Sequence, residues 1–252
     1  VGTDRAAHRP HALSVVELVS VPYEVKPDLF RSSAPLRAGA PSAELQALKQ
    51  SEFLGPRRHD LLGALPAAED GIPRLANALG LPESDLESLA LRCTEDLALL
   101  HDGVLQAIAF AFPSGFRPTD KLGRDFATVH APVADGEALR AASAGITAAM
   151  KRPGAHFERG VWTLTARPSL SQHPDLPRPQ TMNMDDLWFR TEFQVLQSLG
   201  EGWTGFSVRV EMTPWNAVEA ALQSRIAQSV QSMSSATRTY KNLHEIAALL
   251  GV

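Results

Sequence analysis

The stretch DLWFRTEFQVLQSLGEGWTGFSVRVEM (186–212) holds two runs of alternating residues around a GEG linker. Side chains alternate across an extended strand, so residues two apart share a face. Trp188, Arg190, Glu192 and Gln194 then lie on one face, and Leu187, Phe189, Phe193 and Val195 on the other, with Thr191 the polar exception in the apolar row. A glycine-rich turn between two such runs predicts a long antiparallel hairpin, and Arg209 falls on the partner strand. The polar face has two readings. It is a solvated surface with cross-strand ion pairs, or it is the wall of a pocket. In the pocket reading an arginine binds a carboxylate, and a glutamate accepts protons or holds a cation.

Working outward, ERGVWTLTA (158–166) alternates and predicts another strand, and VLQAIAFAF (104–112) reads as a buried one. Helical spacing appears in SAELQALKQ (42–50), in EDGIPRLANALG (69–80), which stops at Gly80, and in DGEALRAASAGITAAMK (135–151). The segment LPESDLESLALRCTEDLALLHDG (81–103) predicts the clearest helix, with Glu95 and Asp96 as a surface pair on it. KLGRDFATVH (121–130) reads as a short helix or turn, PWNAVEAALQSRIAQSVQSM (214–233) as an amphipathic helix, and NLHEIAALLG (242–251) as a final short one. SMSSATRTYKNL (232–243) is a connector or a weakly signalled phosphate-binding loop. RPSLSQHPDLPRPQTMNM (167–184) is a long proline-rich loop, a length often associated with function. The order, helices first and then an antiparallel sheet flanked by helices, predicts an α+β domain over 42–252, preceded by an extended arm over 1–41.

At 252 residues the chain is long enough for a substantial core, and 44% hydrophobic with 21% charged residues is ordinary for a globular protein. A net charge of −4 argues against general nucleic-acid binding. One cysteine, Cys93, excludes an intrachain disulfide and disfavours a cysteine-ligated metal. No apolar run suffices for a membrane span, and VGTDRAAHRPH lacks a signal peptide's apolar core, so the expected location is cytoplasmic. The chain carries no Walker A loop, GxGxxG, HExxH or GxSxG motif, and the histidines other than His130 show no metal-ligand spacing.

FPSGFRPTDKLGRDFATVHAPV (112–133) places His130 after Arg117, Lys121 and Arg124. A lone histidine at a loop edge is either bonded to a backbone group or a ligand. Imidazole is a usual axial ligand of haem iron, and nearby cations suit haem propionates.

These residues resemble the haem-dependent oxidative N-demethylase family, whose haem subunit has a PAS-like fold. The resemblance runs from about Leu97 to Trp215 and rests on TEDLALL (94–100), FPSGFRPTDKLGRDFATVHAPV (112–133), DLWFRTEFQVLQSL (186–199) and FSVRVEMTPW (206–215). In the family the central motif looks like FPS-x-W, K-[IL]-G and IHAPVP. Here Phe112, Pro113, Ser114, Lys121, Gly123, His130, Pro132 and Val133 fall in register, and Phe116 stands in place of Trp. The later motif looks like LW-x-R-x-ERQTL-x-RLP followed by F-x-IR-x-Y. Leu187, Trp188, Arg190, Glu192, Gln194, Leu196 and Arg209 are kept. Phe193 replaces Arg, Gln197-Ser198-Leu199 replaces the RLP run, and Glu211 replaces Tyr.

The resemblance implies haem b, dioxygen as co-substrate and a separate flavin/iron–sulfur reductase, acting in oxidative N-dealkylation of a small amine. It implies His130 as the axial iron ligand, with Arg117, Lys121, Arg124 and Arg209 toward the haem, and Glu192 and Arg190 as catalytic residues. Glu211, expected beside the polar row, would favour a cationic amine or guanidine-like substrate. Two other readings stand beside this one: a haem-based PAS-like gas or redox sensor, and a haem-free assembly subunit. A sensor is expected to carry an output domain or coiled-coil linker, and the residues to Val252 read as neither, which favours the enzyme.

Overall fold

The hairpin forms as the alternation predicts. In the computed structural model, which describes residues 14–32, 36, 39–82, 85–177, 179 and 183–252, Trp188–Gly200 and Trp203–Pro214 pair antiparallel, from Trp188↔Pro214 to Gly200↔Trp203. Gly200, Glu201 and Gly202 all have positive φ (83°, 50° and 80°). Two of these three left-handed positions are glycine, where no Cβ opposes the conformation.

Among the described residues seven strands make one antiparallel sheet. They are β1 (Phe30–Arg31), β2 (Leu62–Ala64), β3 (Asp96–His101), β4 (Val104–Ala109), β5 (His156–Thr165), β6 (Trp188–Gly200) and β7 (Trp203–Pro214), in the spatial order β1-β5-β6-β7-β3-β4-β2. The helices are α1 (Ala43–Leu54), α2 (Arg58–Leu61), α3 (Ile72–Leu79), α4 (Leu86–Arg92), α5 (Phe126–Val129), α6 (Glu137–Ala141), α7 (Ser143–Met150), α8 (Ala220–Ser232), α9 (Ser235–Tyr240) and α10 (His244–Leu249). This is the α+β class expected. Among the described residues no helix is long and apolar enough to cross a membrane.

One face of the sheet is closed by apolar packing. Leu97, Leu99, Ala107, Ala109 and Val195 meet Phe53, Leu75, Leu79 and Leu89 from the N-terminal helices. The approach is close: a Cβ on Gly71 would stand 2.5 Å from the Trp203 ring and from Leu99. A second core gathers Trp162, Leu164, Phe189 and Trp215 with Ile226, Val230 and Ile246 from the C-terminal helices. Val19 of the N-terminal segment is fully buried in it. Arg225 and Ser229 of α8 donate to the carbonyls of Val19 (2.6 Å) and Ser20 (2.7 Å), which fixes that segment along α8. Leu18 closes on Gly160, where an added Cβ would lie 2.1 Å from its Cδ2.

Several expected elements are corrected. The helix predicted over 81–103 ends at Arg92; Cys93 is extended, and 96–101 is strand β3. Because Asp96 through Leu99 are buried on both sides of the sheet, their apolar run carries no period that separates strand from helix. Glu95 and Asp96 are therefore buried rather than a surface pair. Asp96 accepts from the backbone N–H groups of Ala111 (3.1 Å) and Phe112 (2.9 Å) and lies 3.4 Å from Lys49 Nζ. Lys49, fully buried, also donates to the carbonyls of Ala90, Cys93 and Glu95, which satisfies the end of α4. The helix expected over 135–151 divides at Ala142 into α6 and α7. The one over 214–233 begins as a 3₁₀ turn at Trp215–Ala217 and becomes α8 only at Ala220. The segment 232–243 is largely helix α9, capped by Ser234 accepting from the Thr237 N–H at 3.0 Å.

Candidate functional site

The other face of the sheet opens onto a cavity of about 1000 Å³, at the top of the range usual for small-molecule sites, about 300–1,000 Å³. Its floor includes Ala98, Ile108, Leu196, Phe206 and Val208, with the polar row of β6 beside them. The 112–139 segment, the proline-rich loop, the N-terminal segment around Tyr23 and the chain around Lys241 complete the walls.

Alternation decides which hairpin residues face this space. Arg190, Glu192 and Gln194 all line it. Arg190, 1% exposed, donates through Nη1 to Glu192 and through Nη2 to the Phe112 carbonyl at 2.9 Å. Gln194 donates to the other Glu192 oxygen at 2.9 Å. Burial pushes the Glu192 carboxyl up, but the Arg190 guanidinium and the Gln194 amide outweigh it and hold the group below its ordinary range. Glu192 is thus an ionised carboxylate held in place at the cavity wall.

His130 lines the same cavity at the end of α5, where Asp125 caps the helix by accepting from the Thr128 N–H. Its Nδ1 bonds the Phe126 carbonyl at 2.7 Å, and its ring lies 4.1 Å from that of Phe126. Burial lowers its pKa to about 4, partly opposed by the Phe126 bond and helped by the charges of Arg159 and Lys121. The imidazole is therefore neutral at pH 7. With Nδ1 donating to a carbonyl, Nε2 carries the free lone pair, the arrangement that a histidine ligand to a metal requires. Lys121, near the Val129 carbonyl (3.3 Å) and over the Phe116 ring, and the exposed Arg124 add positive charge to this side of the cavity.

Three predicted residues stand elsewhere. Arg209 pairs in register with Phe193, and Glu211 with Thr191, so both point to the face opposite Arg190 and Glu192. They bond each other at 3.0 Å and do not line the cavity. The expectation that Glu211 sits beside the polar row is corrected by this register. Arg117 also lies outside the lining. It bridges Asp60 (3.3 Å) on α2 and Asp175 (2.7 Å) on the proline-rich loop, next to the fully buried His173, whose Nε2 is 3.2 Å from Asp60. Asp60, His173 and Asp175 offer ligand atoms within 4.8 Å of one another. The Arg117 guanidinium already supplies the positive charge that two carboxylates need there, so this group latches the loop to the body.

Sequence reasoning missed Arg159, Lys241 and Tyr23, all of which line the cavity. Lys241 donates to the Trp162 carbonyl at 2.8 Å, and its ammonium stands over the Tyr23 and Trp162 rings. Burial pushes its pKa down to about 8 against the pull of Glu192. Burial also pushes the Tyr23 phenol up to about 12. Arg159 takes its place from the strand register: β5 pairs with the hairpin so that Arg159 faces Gln194, on the polar side.

With this geometry in hand, a family model for haem-dependent oxidative N-demethylase, alpha subunit-like proteins matches residues 68–250. The chain belongs to this family. A comparison with curated proteins finds no match. The matched span covers β3 to β7 and helices α3 to α10, and so includes His130, Arg190, Glu192 and Lys241. Only the N-terminal part of the cavity wall, around Tyr23, lies outside it.

Proposed function

We propose that the cavity holds haem b with His130 Nε2 on the iron, and that the chain is the haem subunit of a monooxygenase that oxidatively dealkylates a small amine. The observation that carries this reading is His130 itself: a neutral, cavity-lining imidazole whose Nδ1 is committed to the Phe126 carbonyl. The cavity's size, its apolar floor, and the cations Lys121 and Arg124 near the His130 segment suit a flat apolar group that carries carboxylates. Haem, when bound and reduced, supplies dioxygen activation and the oxidising power for a C–H bond next to nitrogen.

The chain's own residues do the rest. Glu192 is ionised and fixed by Arg190 and Gln194. It offers the substrate ammonium a fixed negative charge to pair with at the cavity wall. Arg190 is buried and bonded to the Phe112 carbonyl, so it positions Glu192 and ties β6 to the FPS segment. Because those groups are oriented before substrate arrives, little reorganisation is needed at the reacting centre. Gln172 and His173 of the latched proline-rich loop form part of the cavity wall. The electrons would be supplied by a separate reductase, as the family resemblance implies.

The test is reconstitution. Purified protein titrated with haemin should give a Soret band at one haem per chain. With dioxygen, a small-molecule electron donor and dimethylamine, it should release formaldehyde. Failure to bind haem sinks the proposal; haem binding without turnover of any secondary amine, under electron supply, sinks the activity.

A further inference from the structure

We propose that Arg159 is a carboxylate-binding residue of the cavity. The anion it takes is either a haem propionate or the carboxylate of an amino-acid-like substrate. The inference rests on the cavity being the ligand site proposed above.

Arg159 projects from the middle of β5 into the cavity, opposite Gln194 and beside the Glu192 register position. Among the described residues no carboxylate lies within ion-pair distance of its guanidinium, and its buried Nε has no hydrogen-bond partner. The nearby carboxylates are already engaged. Glu192 gives one oxygen to Arg190 and the other to Gln194. Glu24 and Asp28 lie at 2.9 and 3.5 Å from Lys26. Glu245 is exposed on α10.

Arg159 is half-buried, its Nε is buried without a hydrogen-bond partner, and burial lowers its pKa, so the guanidinium is left short of partners. That shortage is relieved when an anion enters. Arginine's planar fork matches a carboxylate's two oxygens, so the ligand class is a carboxylate rather than a neutral acceptor. A structural arginine would behave differently: it would have protein partners, and its removal would cost stability.

The experiment compares wild type, Arg159→Gln and Arg159→Lys. Circular dichroism and urea unfolding first check the fold, and Arg159→Gln should be no less stable than wild type. In one arm, haem and haem dimethyl ester are titrated into haem-free protein. If the anion is a propionate, Arg159→Gln weakens haem by about tenfold or more. It leaves the ester unchanged, and Arg159→Lys recovers part of the loss. In the second arm, haem-loaded protein is titrated with N-methylglycine and with dimethylamine, followed by the Soret difference spectrum. If the anion is a substrate carboxylate, Arg159→Gln weakens N-methylglycine by a similar factor and leaves dimethylamine unchanged. A folded Arg159→Gln protein unchanged in both arms overturns the proposal. If wild type shows no Soret band, the haem reading has failed by itself, and calorimetric titration of the haem-free protein with N-methylglycine and acetate decides Arg159. Carboxylate binding lost in Arg159→Gln then supports the subsite, and no binding to wild type overturns it.

Discussion

Removing the carboxylate of Glu192 should destabilise the protein far more than a surface substitution does. Arg190 is 1% exposed, and its only carboxylate partner among the described residues is Glu192. Its remaining bonds go to the carbonyls of Phe112 and Leu170, and its Nε has none. Glu192→Gln therefore leaves a buried guanidinium with neutral acceptors only. Breaking one side of such a pair costs about 3–5 kcal/mol. The glutamine keeps one acceptor, so about 3 kcal/mol is expected, a fall in Tm of roughly 6–12 °C for a chain this long. Urea unfolding at pH 7, followed by far-ultraviolet circular dichroism, measures it. Arg190→Met with Glu192→Leu should recover most of the loss, because no charge is then left unpaired. The pH dependence has a fixed sign. The folded-state pKa of Glu192 is depressed, so its contribution is present above its unfolded pKa near 4.5 and is lost as pH falls through the lower folded value. A Glu192→Gln cost below about 1 kcal/mol, the range of exposed pairs, would refute the picture of a buried, committed pair.

Gly71→Ala should cost about 1–3 kcal/mol in the same assay, because its Cβ meets the rigid Trp203 ring at 2.5 Å. Lys241 should titrate near pH 8, read by NMR of the reductively ¹³C-methylated protein against a Lys241→Arg control. Its folded pKa lies below the unfolded value of 10.5, so its contribution to stability rises with pH between about 8 and 10.5. Arg117→Ala should raise the rate of proteolysis within 167–177 while leaving haem affinity within about twofold, because Arg117 latches the loop and does not line the cavity. With His130 Nε2 as the proposed iron ligand, haem affinity should hold steady from pH 8 to about 6 and fall only as pH approaches the His130 value of about 4, where protons would compete for that nitrogen.

The hairpin and the polar row were legible because a period of two survives wherever one face is apolar and the other is not. The shared face of Arg190 and Glu192 was read from that period, and the structure pairs the two along it. The same rule, applied across strands, needs a register, and sequence alone did not supply one. That is why Arg209 and Glu211 seemed to join the row and in the sheet fall opposite Phe193 and Thr191. Strand β3 hid inside an apolar run that reads equally as helix, and with it the burial of Glu95 and Asp96. Lys49 was not singled out in the helical run 42–50; its role comes from three carbonyls at and just beyond the end of α4. Lys241 carried no local signal at all, since its position depends on how the C-terminal helices meet the edge of β5.

Spectral titration of His130→Ala with haemin tests the central claim most directly. Wild type should bind one haem per chain with a histidine-ligated Soret band. The variant should lose haem or show a shifted band, and added imidazole should restore the wild-type spectrum by filling the vacated position. A His130→Ala protein that is folded and binds haem with wild-type affinity and an unchanged spectrum would contradict the account.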